Sequence, residues 1–89
     1  MGNDGGVSVI DIATNKVITT VDTVSKPCCI AVSPDGKKVY LANRIDDDVS
    51  VIDTSTNIIS STITGIDDPE DIAITPDSKK VYITAFNGN

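Results

Sequence analysis

Short runs of β-branched and other apolar residues alternate with turn-forming residues along the whole 89-residue chain. Runs of this length, bounded by Gly, Pro, Asp and Asn, are typical of β-strands. They fall into four types, which we label A to D, and each type occurs twice. The predicted strands are Val7–Ile12 and Val49–Thr54 (C), Val17–Val21 and Ile59–Ile63 (D), Cys29–Ser33 and Asp71–Thr75 (A), and Lys38–Asn43 and Lys80–Ala85 (B). Nothing predicts a helix of useful length, so the fold class is all-β.

The predicted strands carry apolar residues on both faces. Val7 and Val9 point to one side of their strand and Ile10 to the other, because side chains alternate across a strand. A sheet with one face in water would instead show a regular alternation of apolar and polar residues. The two-sided pattern therefore predicts sheets that are packed between neighbouring sheets.

The chain presents the same pattern twice, 42 residues apart and without gaps. Residues 7–47 and 49–89 are identical at 17 of 41 aligned positions. A repeat of about 40–45 residues is the length of one four-stranded propeller blade. We therefore predict a β-propeller of four-stranded antiparallel blades, with two blade-equivalents per chain in the order C-D, A-B-C-D, A-B. The expected boundaries are 1–89 for a single propeller segment, 7–48 and 49–89 for the repeats, and 1–6 for the tail of a preceding repeat.

Two kinds of tight turn join these strands. In the A–B turn Pro34 presets φ, Asp35 caps its own backbone, and Gly36 supplies a positive φ. The second copy has Ser78 in place of that glycine, which we expect to cost ~1 kcal/mol if the left-handed geometry is kept. In the C–D turns, Asp and Asn are expected to bond the local backbone through their side chains.

The pattern resembles a known repeat family. Residues 30–43 (IAVSPDGKKVYLAN), followed by Val49–Thr54 and Thr56-Asn57, resemble the YVTN-type β-propeller repeat of archaeal surface-layer and bacterial extracytoplasmic proteins. Tyr40–Asn43 keeps both ends of the eponymous tetrapeptide, and Tyr82–Ala85 loses its final Asn. The resemblance implies a propeller fold, favours an extracytoplasmic or cell-surface location, and brings no catalytic residues with it. No signal-peptide pattern precedes the first repeat.

Two blade-equivalents do not close a ring, because propeller units need neighbours on both sides. We expect the last half-blade of one chain to complete a blade with the first half-blade of the next. The edge residues involved would be Val7, Val9, Val81 and Ile83. A homotrimer would give a six-bladed ring and a homotetramer an eight-bladed one. The alternative is that the chain is an incomplete fragment of a longer propeller.

The net charge of the chain limits the classes of partner that it can bind. The net charge is −6, which argues against nucleic acid and anionic membrane surfaces, and there is no apolar run long enough for a membrane span. Propeller topology puts the acidic B–C and D–A loops at one end and the lysine-bearing A–B and C–D turns at the other. The acidic end holds Asp4 and the candidate cation ligands Asp46, Asp47, Asp48, Glu70 and Asp71. An alternative function is therefore a ring whose acidic channel mouth binds a cation or a basic peptide.

Cys28 and Cys29 begin an inner strand next to the predicted channel. They could form a vicinal disulfide, line the channel as thiolates, or be two small buried residues. Tyr40 and Tyr82 are predicted core residues, which leaves Phe86 as an aromatic platform for carbohydrate. No nucleophile–base pair, phosphate loop or cofactor motif is present. We therefore expect no enzyme and no cofactor but a structural or interaction scaffold; a redox role for the cysteine pair is a further hypothesis.

Overall fold

The computed structural model describes residues 5–23, 27–44 and 46–85. Within these residues every predicted strand is present, with ends displaced by at most two positions. The strands are β1 (Gly5–Asp11), β2 (Lys16–Thr23), β3 (Cys29–Val32), β4 (Lys38–Asn43), β5 (Asp48–Asp53), β6 (Ile58–Thr64), β7 (Pro69–Ile74) and β8 (Val81–Ala85). The all-β prediction is confirmed.

The strands described form three antiparallel sheets. Sheet 1 contains β1-β2, sheet 2 contains β3-β4-β5-β6, and sheet 3 contains β7-β8. Every pair is antiparallel and consecutive along the chain. This is the predicted order of strand types, C-D, A-B-C-D, A-B, so the sheets at the two ends each hold half the strands of sheet 2.

Strand C ends one residue earlier than predicted in both copies, at the first residue of the C–D turn. Oδ1 of Asp11 accepts the Ala13 N–H at 2.8 Å, and Oδ1 of Asp53 accepts the Ser55 N–H at 2.9 Å. These bonds draw the chain into the turn at the aspartate, so strand C ends at Asp11 and Asp53. Asn at the end of each turn has a positive φ, 58° in the first copy and 59° in the second.

The A–B turns adopt one geometry with two sequences. Gly36 has φ 76°, and Ser78 at the equivalent position has φ 61°. The N–H groups of these residues donate to the carbonyl oxygens of Ser33 and Thr75, both at 2.8 Å. Ser78 therefore keeps the left-handed conformation, which is the condition under which the expected cost of the serine applies.

Sheets 1 and 2 enclose one buried apolar cluster. Val21 of sheet 1 packs with Leu41 and Ile52 of sheet 2, and these three residues are 7%, 1% and 3% exposed. Half-buried Val7 and Val9 extend the cluster from β1. On the other side of sheet 2, β7 of sheet 3 contacts β3 and β4. Sheet 2 is therefore covered on both faces, as the two-sided apolar pattern predicted.

Tyr82 is not a core residue, and this prediction was wrong. Its side chain on β8 is 61% exposed, whereas its counterpart Tyr40 on β4 is half-buried. Tyr40 lies on the face of sheet 2 that β7 covers, but among the described residues no further sheet covers the same face of sheet 3. Identical positions in the two repeats thus differ in burial. Phe86 and Asp4 lie outside the described residues.

Candidate functional site

Strands β1 and β8 are edge strands, although the equivalent strands β5 and β4 lie inside sheet 2. Among the described residues β1 pairs with β2 alone and β8 with β7 alone. The predicted edge residues Val7, Val9, Val81 and Ile83 lie on these two strands and are half-buried. An edge strand presents unpaired N–H and C=O groups, so both edges are competent to accept another strand.

An apolar cleft runs along the free edge of β1, between sheets 1 and 2. One part, of about 200 Å³, is lined by Gly6, Val7, Pro27, Cys28, Cys29, Ile30 and Leu41. An adjoining part of about 460 Å³ is lined mainly by residues of β1, β2, β4 and β5. We call the two parts together the edge cleft. It lies where strands of types A and B would complete sheet 1.

At the acidic end, the B–C and D–A loops are joined by Arg44. Its guanidinium contacts Asp68 and Glu70, each at 3.1 Å. The pKa of Arg44 is raised, first by its hydrogen bond to Asp68 and then by the charge of Glu70. Desolvation and the neighbouring Asp68 raise the pKa of Glu70, and Arg44 opposes this only in part. This contact ties the end of β4 to the start of β7.

The five candidate cation ligands are mostly engaged with the protein. Asp47 accepts the Asp68 N–H at 2.9 Å, Asp48 accepts the Asn43 amide at 2.7 Å, and Asp71 accepts the Ile72 N–H. Glu70 pairs with Arg44, and Asp46 lies exposed in the B–C turn. Among residues 5–23, 27–44 and 46–85, no three Cys, Asp or Glu side chains converge as a metal ligand set.

The opposite end brings the lysine-bearing turns together. The N–H of Asp35 donates to Oγ of Ser78 at 3.1 Å, which links the two A–B turns. The C–D turn joins the same end, because the Thr54 hydroxyl donates to the Gly36 carbonyl oxygen at 2.7 Å. The predicted sorting of loops between the two ends is therefore confirmed for the described residues.

The cysteine pair lies at the start of β3, in the edge cleft. The Cys28 thiol contacts the Pro69 carbonyl oxygen at 3.4 Å, and the half-buried Cys29 thiol donates to the carbonyl oxygen of Glu70. Both thiols are free. Partial burial of the sulfur, and then the Cys29 thiol, raise the pKa of Cys28 to about 11. Cys28 is therefore protonated at neutral pH, which makes it a weak nucleophile.

Two residues at the acidic end were missed by sequence reasoning. Arg44 is the only arginine in the chain and stands just before the aspartate run, which was the available signal. Asn43 is 4% exposed, and its amide donates to Asp48 and to Ser50. Its position after Tyr-Leu-Ala marked it as part of the repeat, but the pattern did not indicate these bonds.

Comparison with known protein families identifies the family to which this arrangement of strands belongs. Residues 2–89 match the YNCE-like beta-propeller family. The chain belongs to the YNCE-like β-propeller family. The three sheets of the described residues are therefore consecutive segments of a propeller, and the paired acidic and lysine-bearing ends are its two loop faces. Comparison with curated proteins gives no match.

Solved structures with the same architecture include two of known identity. Kuenenia stuttgartiensis hydrazine synthase is 35% identical with a TM-score of 0.85, over 90% of this chain and 23% of that chain. The WD40 β-propeller domain of Doa1 is 19% identical with a TM-score of 0.78, over 93% of this chain and 28% of that chain. A functionally unknown protein from Desulfotomaculum acetoxidans is 22% identical with a TM-score of 0.64, over 75% of this chain and 24% of that chain. The chain thus spans about a quarter of the length of these proteins.

Proposed function

We propose that this YNCE-like propeller segment is a non-catalytic module that acts as a structural or interaction scaffold. The observation that carries the proposal is that, among the described strands, β1 and β8 each lack the second neighbour that the equivalent strands β5 and β4 have in sheet 2. The finer resemblance to the YVTN-type repeat supports an extracytoplasmic or cell-surface setting. Among the described residues no helix is long and apolar enough to cross a membrane.

The scaffold works by self-assembly, in which half-blades of different chains complete one another. Unpaired strand edges favour addition of another strand, because each bond formed satisfies a backbone group. A trimer would give six blades and a tetramer eight. Native mass spectrometry with light scattering, at micromolar concentration, tests this. One species of three or four chains is expected; a monomer would refute self-assembly and favour a segment completed within a longer propeller.

A catalytic or redox role for Cys28-Cys29 is disfavoured by the raised pKa of Cys28. The thiolate is the reactive form of cysteine, and at neutral pH the thiol of Cys28 is almost wholly protonated. Replacement of both cysteines by serine is expected to leave folding and assembly intact. A loss of any activity or assembly on that replacement would revive the redox hypothesis.

A second candidate function is binding of a cation or basic peptide at the acidic end. The bond from the Asp68 N–H to Asp47 favours it, because it brings the aspartates of two loops side by side. Assembly would multiply this cluster by the symmetry of the ring and focus a negative potential there. Calorimetric titration with Ca²⁺, Zn²⁺ and a lysine-rich peptide tests the idea, and no heat together with no rise in Tm would remove it.

A further inference from the structure

The free edge of β1 and the edge cleft beside it form a site for a β-hairpin. We propose that the β7–β8 hairpin of a second copy of this chain occupies the edge cleft, with its β8 pairing antiparallel to β1. This rests on the self-assembly proposed above and adds which strands pair, in what register, and which side chains they bury. The contact is head-to-tail, since it uses opposite ends of the two chains.

The register follows from a pairing inside the chain. In sheet 2, type B strand β4 lies against type C strand β5, with Tyr40 opposite Val51 and Leu41 opposite Ser50. Strands β8 and β1 are the same two types, displaced by one repeat in opposite directions. The β7–β8 hairpin also repeats the register of β3–β4, so it presents its free edge in the same way. The inter-chain pairs are Val81 with Ile10, Tyr82 with Val9, Ile83 with Ser8, Thr84 with Val7, and Ala85 with Gly6.

We call the proposed inter-chain pairing of β8 with β1 the seam. In this register the charges at one end of the seam are complementary. In sheet 2, Lys38 lies opposite Asp53, and the charge of Lys38 adds to the Ser55 hydrogen bonds that lower the pKa of Asp53. The equivalent inter-chain pair is Lys80 with Asp11, which again joins a cation to an anion. Opposite charges placed directly across a sheet favour the pairing.

The cleft presents an apolar face that the hairpin would cover. Ile30 and Val32 on β3 are 54% and 57% exposed. Ile30 lies opposite Leu41, whose side chain packs with Val21 of sheet 1, so this face of β3 is directed to the side of sheet 1. The equivalent Ile72 and Ile74 are only half-exposed or less, because β3 packs on β7.

The second copy supplies the apolar side chain that this face lacks. Tyr82 is 61% exposed on the face of sheet 3 that is directed away from sheet 2. Its counterpart Tyr40 occupies the face of sheet 2 covered by β7. Docking in the stated register therefore packs Tyr82 of one chain against Ile30 and Val32 of the next. Burying three exposed apolar side chains favours association.

Cysteine pairs test the register directly. In a Cys28→Ser/Cys29→Ser background, V9C/Y82C and S8C/I83C place thiols directly opposite each other across the seam. Both pairs are needed, because opposed residues in antiparallel strands alternate between narrow and wide spacing. The control S8C/Y82C is displaced by one residue, which puts the two thiols on opposite faces of the sheet. Each variant is oxidised mildly and analysed under non-reducing conditions, beside native mass spectrometry.

The outcomes separate the register from self-assembly itself. Oligomers with disulfide-linked chains from an in-register pair, and none from S8C/Y82C, would support the proposal. Oligomers in which only the control becomes linked, or no pair does, would overturn the register and leave self-assembly standing. Monomers in every variant and in the parent chain would overturn both.

A single substitution that strengthens the contact between the two chains tests the docked geometry. Within the chain, the Cys29 thiol donates to the carbonyl oxygen of Glu70 in the next sheet. At the β8–β1 seam the equivalent groups are the Asp71 carboxylate of the docked hairpin and the carbonyl of Cys28, and both are hydrogen-bond acceptors. D71N supplies a donor, so the oligomer should persist at lower protein concentration. Assembly that is unchanged or weaker in D71N would refute this placement of the hairpin.

Discussion

The A–B turns provide a direct test of backbone strain, because one geometry is adopted by glycine and by serine. Gly36 has φ 76°, and a Cβ built there meets no atom within 4 Å. Gly36→Ala therefore introduces no clash, and its cost is purely conformational. A left-handed alanine costs about 1 kcal/mol relative to glycine. For a chain of this size that corresponds to a fall in Tm of about 4–8 °C.

The opposite change at Ser78 should stabilise the chain, but by less. Ser78→Gly relieves strain of similar size and removes Oγ, which accepts the Asp35 N–H at 3.1 Å. Because that bond is exposed, its net value is about 0.5 kcal/mol. The expected net gain is therefore about 0.5 kcal/mol. Ser78→Ala is the matched control: it keeps the strain, loses only the hydroxyl, and should cost about 0.5 kcal/mol.

Urea unfolding followed by circular dichroism measures all three variants against the parent chain. The reasoning requires Gly36→Ala to lower the free energy of unfolding and Ser78→Gly to raise it relative to Ser78→Ala. A neutral Gly36→Ala would refute the account, since it would mean that the left-handed geometry carries no cost in this turn. So would a Ser78→Gly variant less stable than Ser78→Ala.

Three other predictions concern the core, the inter-loop contact and the cysteine pair. Leu41→Ala should lower the free energy of unfolding by about 3 kcal/mol, while Ile12→Ala, at 89% exposure, should change it by less than about 0.5 kcal/mol in the same urea titration. Arg44→Ala should lower Tm at low salt, and the difference in Tm from the parent chain should shrink in 1 M NaCl, where the screening length is about 3 Å, because the contacts to Asp68 and Glu70 are partly exposed. An equal fall in Tm at both salt concentrations would contradict an electrostatic role. In a Cys29→Ala variant, the rate of Cys28 alkylation by iodoacetamide should be low at pH 7 and should keep rising with pH beyond the ordinary thiol range, because burial is the main cause of the raised pKa of Cys28. A rate that levels off below pH 9 would show an unperturbed thiol.

Much of the fold was predictable because the repeat carries its own local rules. The strand order, the positive φ at Gly36 and the capping aspartates in both C–D turns follow from residues that act on their neighbours in sequence. The same strand-forming and turn-forming residues occur in both copies, so the structure predicted for one copy supports the structure predicted for the other. Strand C ends one residue earlier than predicted in both copies, because the Asp11 and Asp53 side chains take over bonding of the backbone in the turn.

The contacts between loops were not predictable in the same way. Arg44 reaches Asp68 and Glu70 across a separation of more than 20 residues, and Asp35 reaches Ser78 across more than 40. These partners meet only because sheets 2 and 3 stack with their equivalent ends together. The acidic residues of these loops were visible in the sequence, but among the described residues most of them bind backbone amides, Asn43 or Arg44 rather than converging on one point.

By itself the sequence determines the strand types, their order and the turn geometry, because alternation, β-branching and turn residues act within a few positions of one another. Tertiary structure decides which copy of each position is buried. Tyr40 and Tyr82 occupy the same place in the repeat, yet Tyr82 is 61% exposed and Tyr40 is half-buried. The reason is physical: burial depends on whether a neighbouring sheet covers that face, and the repeat pattern is identical whether or not the neighbour is present.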